Sequence, residues 1–544
     1  MSQFNNALYK AWNMGWAWKL SSSKGKVPTV RNAIAAQHPI PAIASEWEEV
    51  FSAASSPSEL LWATSLNYMV DLHKCAPAYA TSALEAFYNA FWDSSSEISR
   101  ILGSSWDHCS SMRLKALTAL TGSSDPKMEQ LADRFLQQEM AAEDYWSQIE
   151  RNNHGLMLLD ALIGVSLVST SSSELLQRAA TELERILGFV FGDDGFCNEN
   201  SPAYHHLYVR LVEGLIIKYR DSPGCESIVE TAERYFETIK SSMSWVVKPN
   251  GDIPPLGDSN PSGSNYESKD GTFFSERVGL WVYKHAGLYL TFTCGFENLT
   301  HKHADDTSIT LSYRGEDLIT DAGTASYKYS DPRILALRTQ KGHSGVYFPR
   351  FDSYHPAKLY GKGIEVKSAM VAVSEFSARG GYMVSGNHIA HRHLTVLSPT
   401  RIRCEDHSSS ISKSRSVIRF IVPAHISVGV ESKGFWLTGE SVSAKVAFSE
   451  KVSVRVAVGE GEKPHRGWIS IKPNEVIPAQ CVEVSRSVFG RGKLVHTIDL
   501  MDSPIRHALP APKRVTVSSS KNNYSRHLRK ISKVMTGVFK RSWH

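Results

Sequence analysis

The sequence is poor in cysteine, with seven in 544 residues (Cys75, Cys109, Cys197, Cys225, Cys294, Cys404, Cys481), scattered and never in a CxxC pair. That spacing excludes a disulfide framework and a thiolate zinc site, and it fits a reducing compartment. Any metal must then be held by histidine and carboxylate. Long apolar runs are missing too: none approaches the roughly 18 residues that a membrane span requires. The segment Met1–Leu20 has Trp12, Trp16 and Trp18 but no continuous apolar stretch and no cleavage pattern, so no conventional secretory signal is expected. The expected location is the cytoplasm or the cytoplasmic face of the membrane. Acidic residues are absent from one long segment, Arg506–His544, which holds ten Lys/Arg and no Asp or Glu. Residues 1–505 therefore carry −5 of the formal +5, and the whole-chain charge is no argument for a polyanionic substrate.

A composition 42% hydrophobic and 21% charged belongs to a folded globular chain, and the length to more than one domain. Four segments are expected: 1–44, rich in aromatics; 45–258, helical; 259–505, built of strands; and the basic tail 506–544. In the helical part, Ile228, Ala232, Tyr235/Phe236, Ile239 and Met243 form one apolar stripe, and Leu175, Leu176, Ala179, Leu183 and Ile186 another. Nine of the thirteen tryptophans precede residue 246 and read mainly as core. No fixed-period repeat is present. The stretch Gly257–Asn265 reads as a linker. Beyond it Leu288, Leu290, Phe292, Cys294 and Phe296 alternate with Tyr289, Thr291 and Thr293, as in a strand with one buried face. Val452, Val454, Val456 and Val458 predict another such face. Helices first and strands second imply an α+β chain of helical hairpins followed by an antiparallel sandwich.

The densest chemical cluster is Asn298–Asp306. In an extended segment His301 and His303 point to one side and converge on one ligand or metal, with Asp305 and Asp306 following. Asp321 and His343 lie further on, beside glycine-containing turns. A hairpin about Gly315 places Asp321 roughly 20 Å from His303 at ~3.3 Å per residue unless residues 303–307 fold back. Two polar clusters interrupt the helical half. In Arg151–Gly155, Asn152 or Asn153 suits a helix N-cap. In Asn198–Tyr208, Tyr204 and Tyr208 share a helical face, where core-edge tyrosines are the structural alternative.

Taken together, Asn153-His154, Asn200–His205, Gly251–Ser259, His301–Asp305 and Asp321–Tyr327 resemble, in content and order, the heparinase II/III family of polysaccharide lyases. The resemblance implies an incomplete α/α toroid followed by an antiparallel β-sandwich over about residues 45–500. It implies that Asn153 neutralises a substrate carboxylate beside His154, that Tyr204 is the proton-transferring phenol with Tyr208 as fallback, and that His301 is a histidine acid/base. His205, Tyr208 and Tyr327 are expected to bind substrate. The family zinc maps onto His303, Asp321 and His343. Two departures stand out: His343-Ser344-Gly345 replaces the usual His-Asn-Thr, and the usual export signal is not apparent. With exported relatives, the cell envelope or periplasm is the alternative location.

The expected activity is β-elimination on a uronic-acid-containing polymer. Two other classes are open: a non-catalytic carbohydrate-binding protein of envelope or capsule assembly, and a glycoside hydrolase. The last needs two carboxylates; Asp193, Asp194, Glu199 and Asp258 are available but without distinctive spacing. No nucleic-acid motif appears in the body of the chain. The tail reads either as a solvated extension or as a contact for a membrane surface or polyanion.

Overall fold

The computed structural model describes residues 47–48, 77–102, 106–169, 172–327, 329–361, 366–463 and 465–502. The expectations for 1–44 and 506–544 fall outside the described residues. From Pro77 on, seven helices precede the strands among the described residues: α1 (Pro77–Leu102), α2 (Trp106–Leu120), α3 (Pro126–Ala142), α4 (Asn153–Val168), α5 (Ser172–Val190), α6 (Pro202–Tyr219) and α7 (Glu226–Val246). Their starts are written in the sequence. Asp125, Asn152 and Ser201 cap α3, α4 and α6 by accepting backbone N–H groups, and proline occupies the first turn of α3 and α6. The cap of α4 falls to Asn152, which leaves the Asn153 side chain for other work.

Both apolar stripes are buried as expected, with Leu175, Tyr235 and Phe236 at their margins. Helices two apart in the chain pack together: α2 against α4, α4 against α6, α1 against α3 and α5 against α7. Buried charge ties the α2–α4–α6 layer, since Asp160 on α4 takes Lys115 of α2 at 2.6 Å and Lys218 of α6 at 2.9 Å. Burial alone would raise the Asp160 carboxyl; the two lysines hold it well below the carboxylate range.

Strands β1 (Gly271–Ser275), β2 (Leu280–His285), β3 (Leu288–Thr293), β4 (Ser308–Tyr313) and β5 (Glu316–Ile319) form an antiparallel meander. A ten-stranded antiparallel sheet packs on it, centred on the long strands Arg401–Val422 and Gln480–Met501. The single buried face expected for 288–296 is corrected: every residue of β3 is buried. Leu288, Leu290 and Phe292 join the core between the sheets, while Tyr289 enters the helical core and donates its hydroxyl to Val246 O at 2.9 Å. The meander is a middle layer, covered by helices on one side and by the large sheet on the other. Lys284 fastens it to the end of α7, donating to Ser244 O and Val247 O. The valine alternation at 452–458 is corrected as well. Val452 and Val454 are half-buried against the sandwich core, but Val456 and Val458 are exposed and Ala457 is the buried residue, in a small separate cluster with Ile421 and Cys481. The six cysteines among the described residues are buried and free. No helix among the described residues is long and apolar enough to cross a membrane.

Candidate active site

The amino ends of α4 and α6 meet the loops of the meander, and the site is assembled there. Gly257 makes the junction possible. With φ of +54° it sits so close that a Cβ would lie 2.3 Å from Asn200 O and 3.0 Å from His301 O. Asn200 closes the same junction by donating from Nδ2 to Asn298 O and Thr300 O, and Ser259 Oγ accepts from Ala203 N. The expected linker Gly257–Asn265 is thus no linker at its start: Asp258 and Ser259 are buried at the centre of the site.

Asp258 organises what surrounds it. It accepts from His301 Nδ1 (2.7 Å), His303 Nε2 (2.9 Å), Arg338 Nη1 (2.6 and 2.8 Å) and the Tyr327 hydroxyl (3.2 Å). Burial would raise its carboxyl, but the two histidine bonds and the Arg338 charge hold it well below the ordinary range. As an ionised carboxylate only accepts, both imidazoles present an N–H to it. His301 and His303 do converge on one group, and that group is Asp258. Asp305 and Asp306 turn instead to Lys302.

The His301 ring lies against the Tyr204 ring with centroids 3.4 Å apart. The Tyr204 hydroxyl is 3.0 Å from that of Tyr327. Burial pushes both phenols up, so both rest protonated. On the other side of His301, Nε2 lies 3.4 Å from Glu199 Oε2. Burial also raises the Glu199 carboxyl, against the opposing pull of His301 and of the Tyr208 hydroxyl. The Asn153 backbone amide reaches the same carboxylate, which brings the start of α4 into the cluster. The Asn153 side chain is nearly buried and makes no hydrogen bond to a described residue. His154 is held at Nδ1 by Asp107, 3.2 Å away.

Two expected substrate contacts are corrected. His205 is fully buried in the helical core: Nδ1 accepts from Cys197 N at 3.0 Å, Nε2 is 2.7 Å from Ile239 O, and the ring stacks on Phe196. Nδ1 ties α6 to the turn before it and Nε2 ties it to α7, so both nitrogens are spent. Tyr208 is fully buried and donates to Glu199 Oε1 at 2.6 Å, so its hydroxyl serves the carboxylate and cannot serve as the fallback phenol.

His303, Asp321 and His343 come together, with one ligand atom of each within 4.8 Å of the others. The feared 20 Å separation does not arise. Ser308 N bonds back to Asp305 O and Thr307 adopts φ of 68°, so the chain folds back before β4. His343 Nδ1 meets Asp321 Oδ2 at 2.8 Å, and His303 Nδ1 and His343 Nε2 are buried without partners. Burial lowers the His303 pKa, keeping that ring neutral. Two imidazoles and a carboxylate form a donor set suited to zinc, and the Asp258–His303 bond is the usual outer support of such a ligand.

Sequence reasoning passed over three members. Asp258 lies within the Gly251–Ser259 motif and Glu199 within the Asn198–Tyr208 cluster, but neither is assigned a role there beyond that of a candidate hydrolase carboxylate, and Arg338 gives no signal. A missed clue was Gly257: a glycine directly before an aspartate in a Pro-rich segment marks a close backbone approach.

Residues 270–486 match the family model described as Heparinase II/III-like, C-terminal. No curated protein matches the sequence. Among solved structures, the heparan sulfate lyase HepC from Pedobacter heparinus superposes with a TM-score of 0.61 at 10% identity, covering 92% of this chain and 88% of that one. A heparinase III gives 0.63 at 11%, covering 92% and 89%. A chondroitinase AC lyase gives 0.56 at 10%, covering 91% and 83%. These likenesses extend the fold over the helical half as well. The resemblance is borne out over residues 270–486, where the sandwich part of the chain matches the C-terminal domain model of heparinase II/III-like proteins.

Proposed function

We propose that the protein is a polysaccharide lyase that cleaves a uronic-acid-containing polymer by β-elimination. The observation that carries the reading is the Tyr204–His301–Asp258 stack, set beside the uncommitted Asn153 amide where two helix N-termini meet. The family match and the names of the solved relatives support it.

The chemistry explains the residue types. The C5 proton of a uronate is weakly acidic while its carboxylate is ionised, because removal builds up a second negative charge. Asn153 can donate to that carboxylate, and the amino ends of α4 and α6 favour an anion beside them. A base takes the C5 proton, and the electrons of the C5–H bond are held as an enolate on the carboxylate. They then form the C4=C5 double bond as the C4–O4 bond breaks, and O4 takes a proton. Tyr204, protonated at rest, suits the donation to O4. His301, stacked on it and oriented by Asp258, is the neighbouring group through which the proton taken from C5 is carried. When zinc is bound, His303, Asp321 and His343 would hold it, and it would supply order to the loops that carry His301 and Tyr327.

The test is incubation with heparan sulfate, hyaluronan, alginate and capsular polymers while ultraviolet absorbance of the 4,5-unsaturated product is followed. Absorbance should rise on one of them. Folded, zinc-loaded protein that yields no unsaturated product on any uronate polymer would sink the proposal. New reducing ends without that chromophore would point to hydrolysis.

A further inference from the structure

The elimination chemistry leaves Glu199 without a task, yet it is the residue on which the site's halves meet. It stands in the turn before α6, 2% exposed, in contact with Tyr208, with the Asn153 amide and with His301. Tyr208 donates to Oε1, while Oε2 has no hydrogen-bond partner and faces His301 Nε2. A buried polar oxygen is costly to leave without a partner. The imidazole is thus bracketed by two carboxylates, Asp258 at Nδ1 and Glu199 at Nε2, with its face against Tyr204.

We infer that Glu199 is a positioning residue for the proposed elimination: through Oε2 it fixes the rotation of the His301 ring, and with it the place of the Tyr204 hydroxyl. This rests on the lyase reading. A ring held at one nitrogen still swings about that contact; a second contact at the opposite nitrogen removes the freedom. Tyr204 lies on that ring, so a swing displaces the phenol, and a displacement of about 1 Å can cost on the order of 100-fold in rate. Tyr208 belongs to the same device. By holding Oε1 it turns Oε2 toward His301, which gives a use to a fully buried tyrosine that touches no groove.

The test compares Glu199→Leu with Glu199→Gln in the full chain. Leu removes both contacts; Gln keeps a side chain of the same shape, with an amide N–H able to donate to His301 Nε2. Glu199→Leu should lower kcat about 10- to 100-fold with KM nearly unchanged, and Glu199→Gln should recover most of the loss. The ring signals of His301 in nuclear magnetic resonance should report one orientation in the wild type and several in Glu199→Leu. Should the Leu variant fail to fold, Tyr208→Phe serves in its place, with a smaller fall in kcat and the same spread of ring orientations. Unchanged kcat and an unchanged ring in the folded variant would overturn the inference. Were the wild type inactive on every polymer, the lyase reading would fall, while the ring signals would still decide whether Glu199 holds His301.

Discussion

Arg419, in the long strand of the large sheet, gives Nε and Nη2 to Glu483 Oε1 at 3.0 and 2.7 Å, Nη2 also to Asp352 Oδ2 at 2.8 Å, and Nη1 to Gln340 O at 2.6 Å. Arg466 takes the remaining oxygen of Glu483. Every charged atom there has a partner. The cluster about Asp258 is equally buried and equally charged, yet Glu199 Oε2, Arg338 Nε, His303 Nδ1 and His343 Nε2 stand without partners. Burial and charge do not separate the two regions; satisfaction does. A protein keeps a closed network to join its layers and an open one where something outside the chain completes it.

The largest contrast should come from Tyr204→Phe. Among the described residues the hydroxyl bonds to that of Tyr327 alone, which keeps Asp258 as a second partner. Its removal should leave the melting temperature nearly unchanged and lower kcat on the cleaved polymer by about 10²–10⁴-fold. Unchanged turnover would return the protein to the carbohydrate-binding class. Arg419→Met should do the reverse, since it strands Asp352 as a buried carboxylate and leaves Glu483 with Arg466 alone. A loss of about 3–5 kcal/mol is expected in urea unfolding, with turnover per folded molecule kept. If the variant unfolds at the wild-type urea concentration, the closed network is not what joins the layers.

Zinc sharpens the comparison, because it would close one part of the open network. Added at about a hundredfold over its Kd it should stabilise the chain by about 2.7 kcal/mol. His343→Ala should abolish the rise in melting temperature. An equal rise in that variant, or no zinc in elemental analysis of the purified protein, would leave the two bare nitrogens unexplained.

How far the sequence discloses these regions follows from the range of the forces involved. Helix caps and apolar stripes are local, so α4, α6 and α7 are legible from Asn152, Ser201 and the Ile228–Met243 spacing. The double burial of β3 is not, because Tyr289 and Thr291 face a layer more than forty residues away and polar side chains there look like solvent contacts. His303, Asp321 and His343 are legible through resemblance and not through hairpin spacing, which does not register the fold-back at Thr307. Asp258 and Glu199 stayed hidden for another reason. A carboxylate's importance lies in which donors converge on it, and His301, His303 and Arg338 arrive from 43 to 80 residues away. His205 misled for the complementary reason: a histidine in a motif looks the same whether it faces a groove or a helix carbonyl.

Gly257→Ala tests the junction that holds the open cluster together. The added methyl would meet Asn200 O and His301 O on a left-handed backbone. A cost of about 1–3 kcal/mol is expected from the strain, read as a lower melting temperature, together with a fall in kcat as the His301 and Glu199 segments part. Wild-type melting and turnover would show that the three segments are not locked at this point.

The smallest effect separates Glu199 from Glu483 by pH. Burial raises the folded Glu199 carboxyl, whereas Glu483, though burial would raise it too, is held below its ordinary range by Arg419 and Arg466. The signs are opposite. Glu199 contributes stability that is complete below the unfolded carboxyl pKa of about 4.5 and is lost as pH rises through its higher folded value. Glu483 contributes stability present above that point and lost as pH falls through its lower folded value. Against wild type, Glu199→Gln should therefore melt at the same temperature in acid and progressively higher toward neutral pH. Glu483→Gln should show its deficit near neutrality and lose it on acidification. Parallel melting curves for Glu199→Gln and wild type across that range would mean that the Glu199 carboxylate is as well satisfied as Glu483, and the distinction between an open and a closed network would not extend to it.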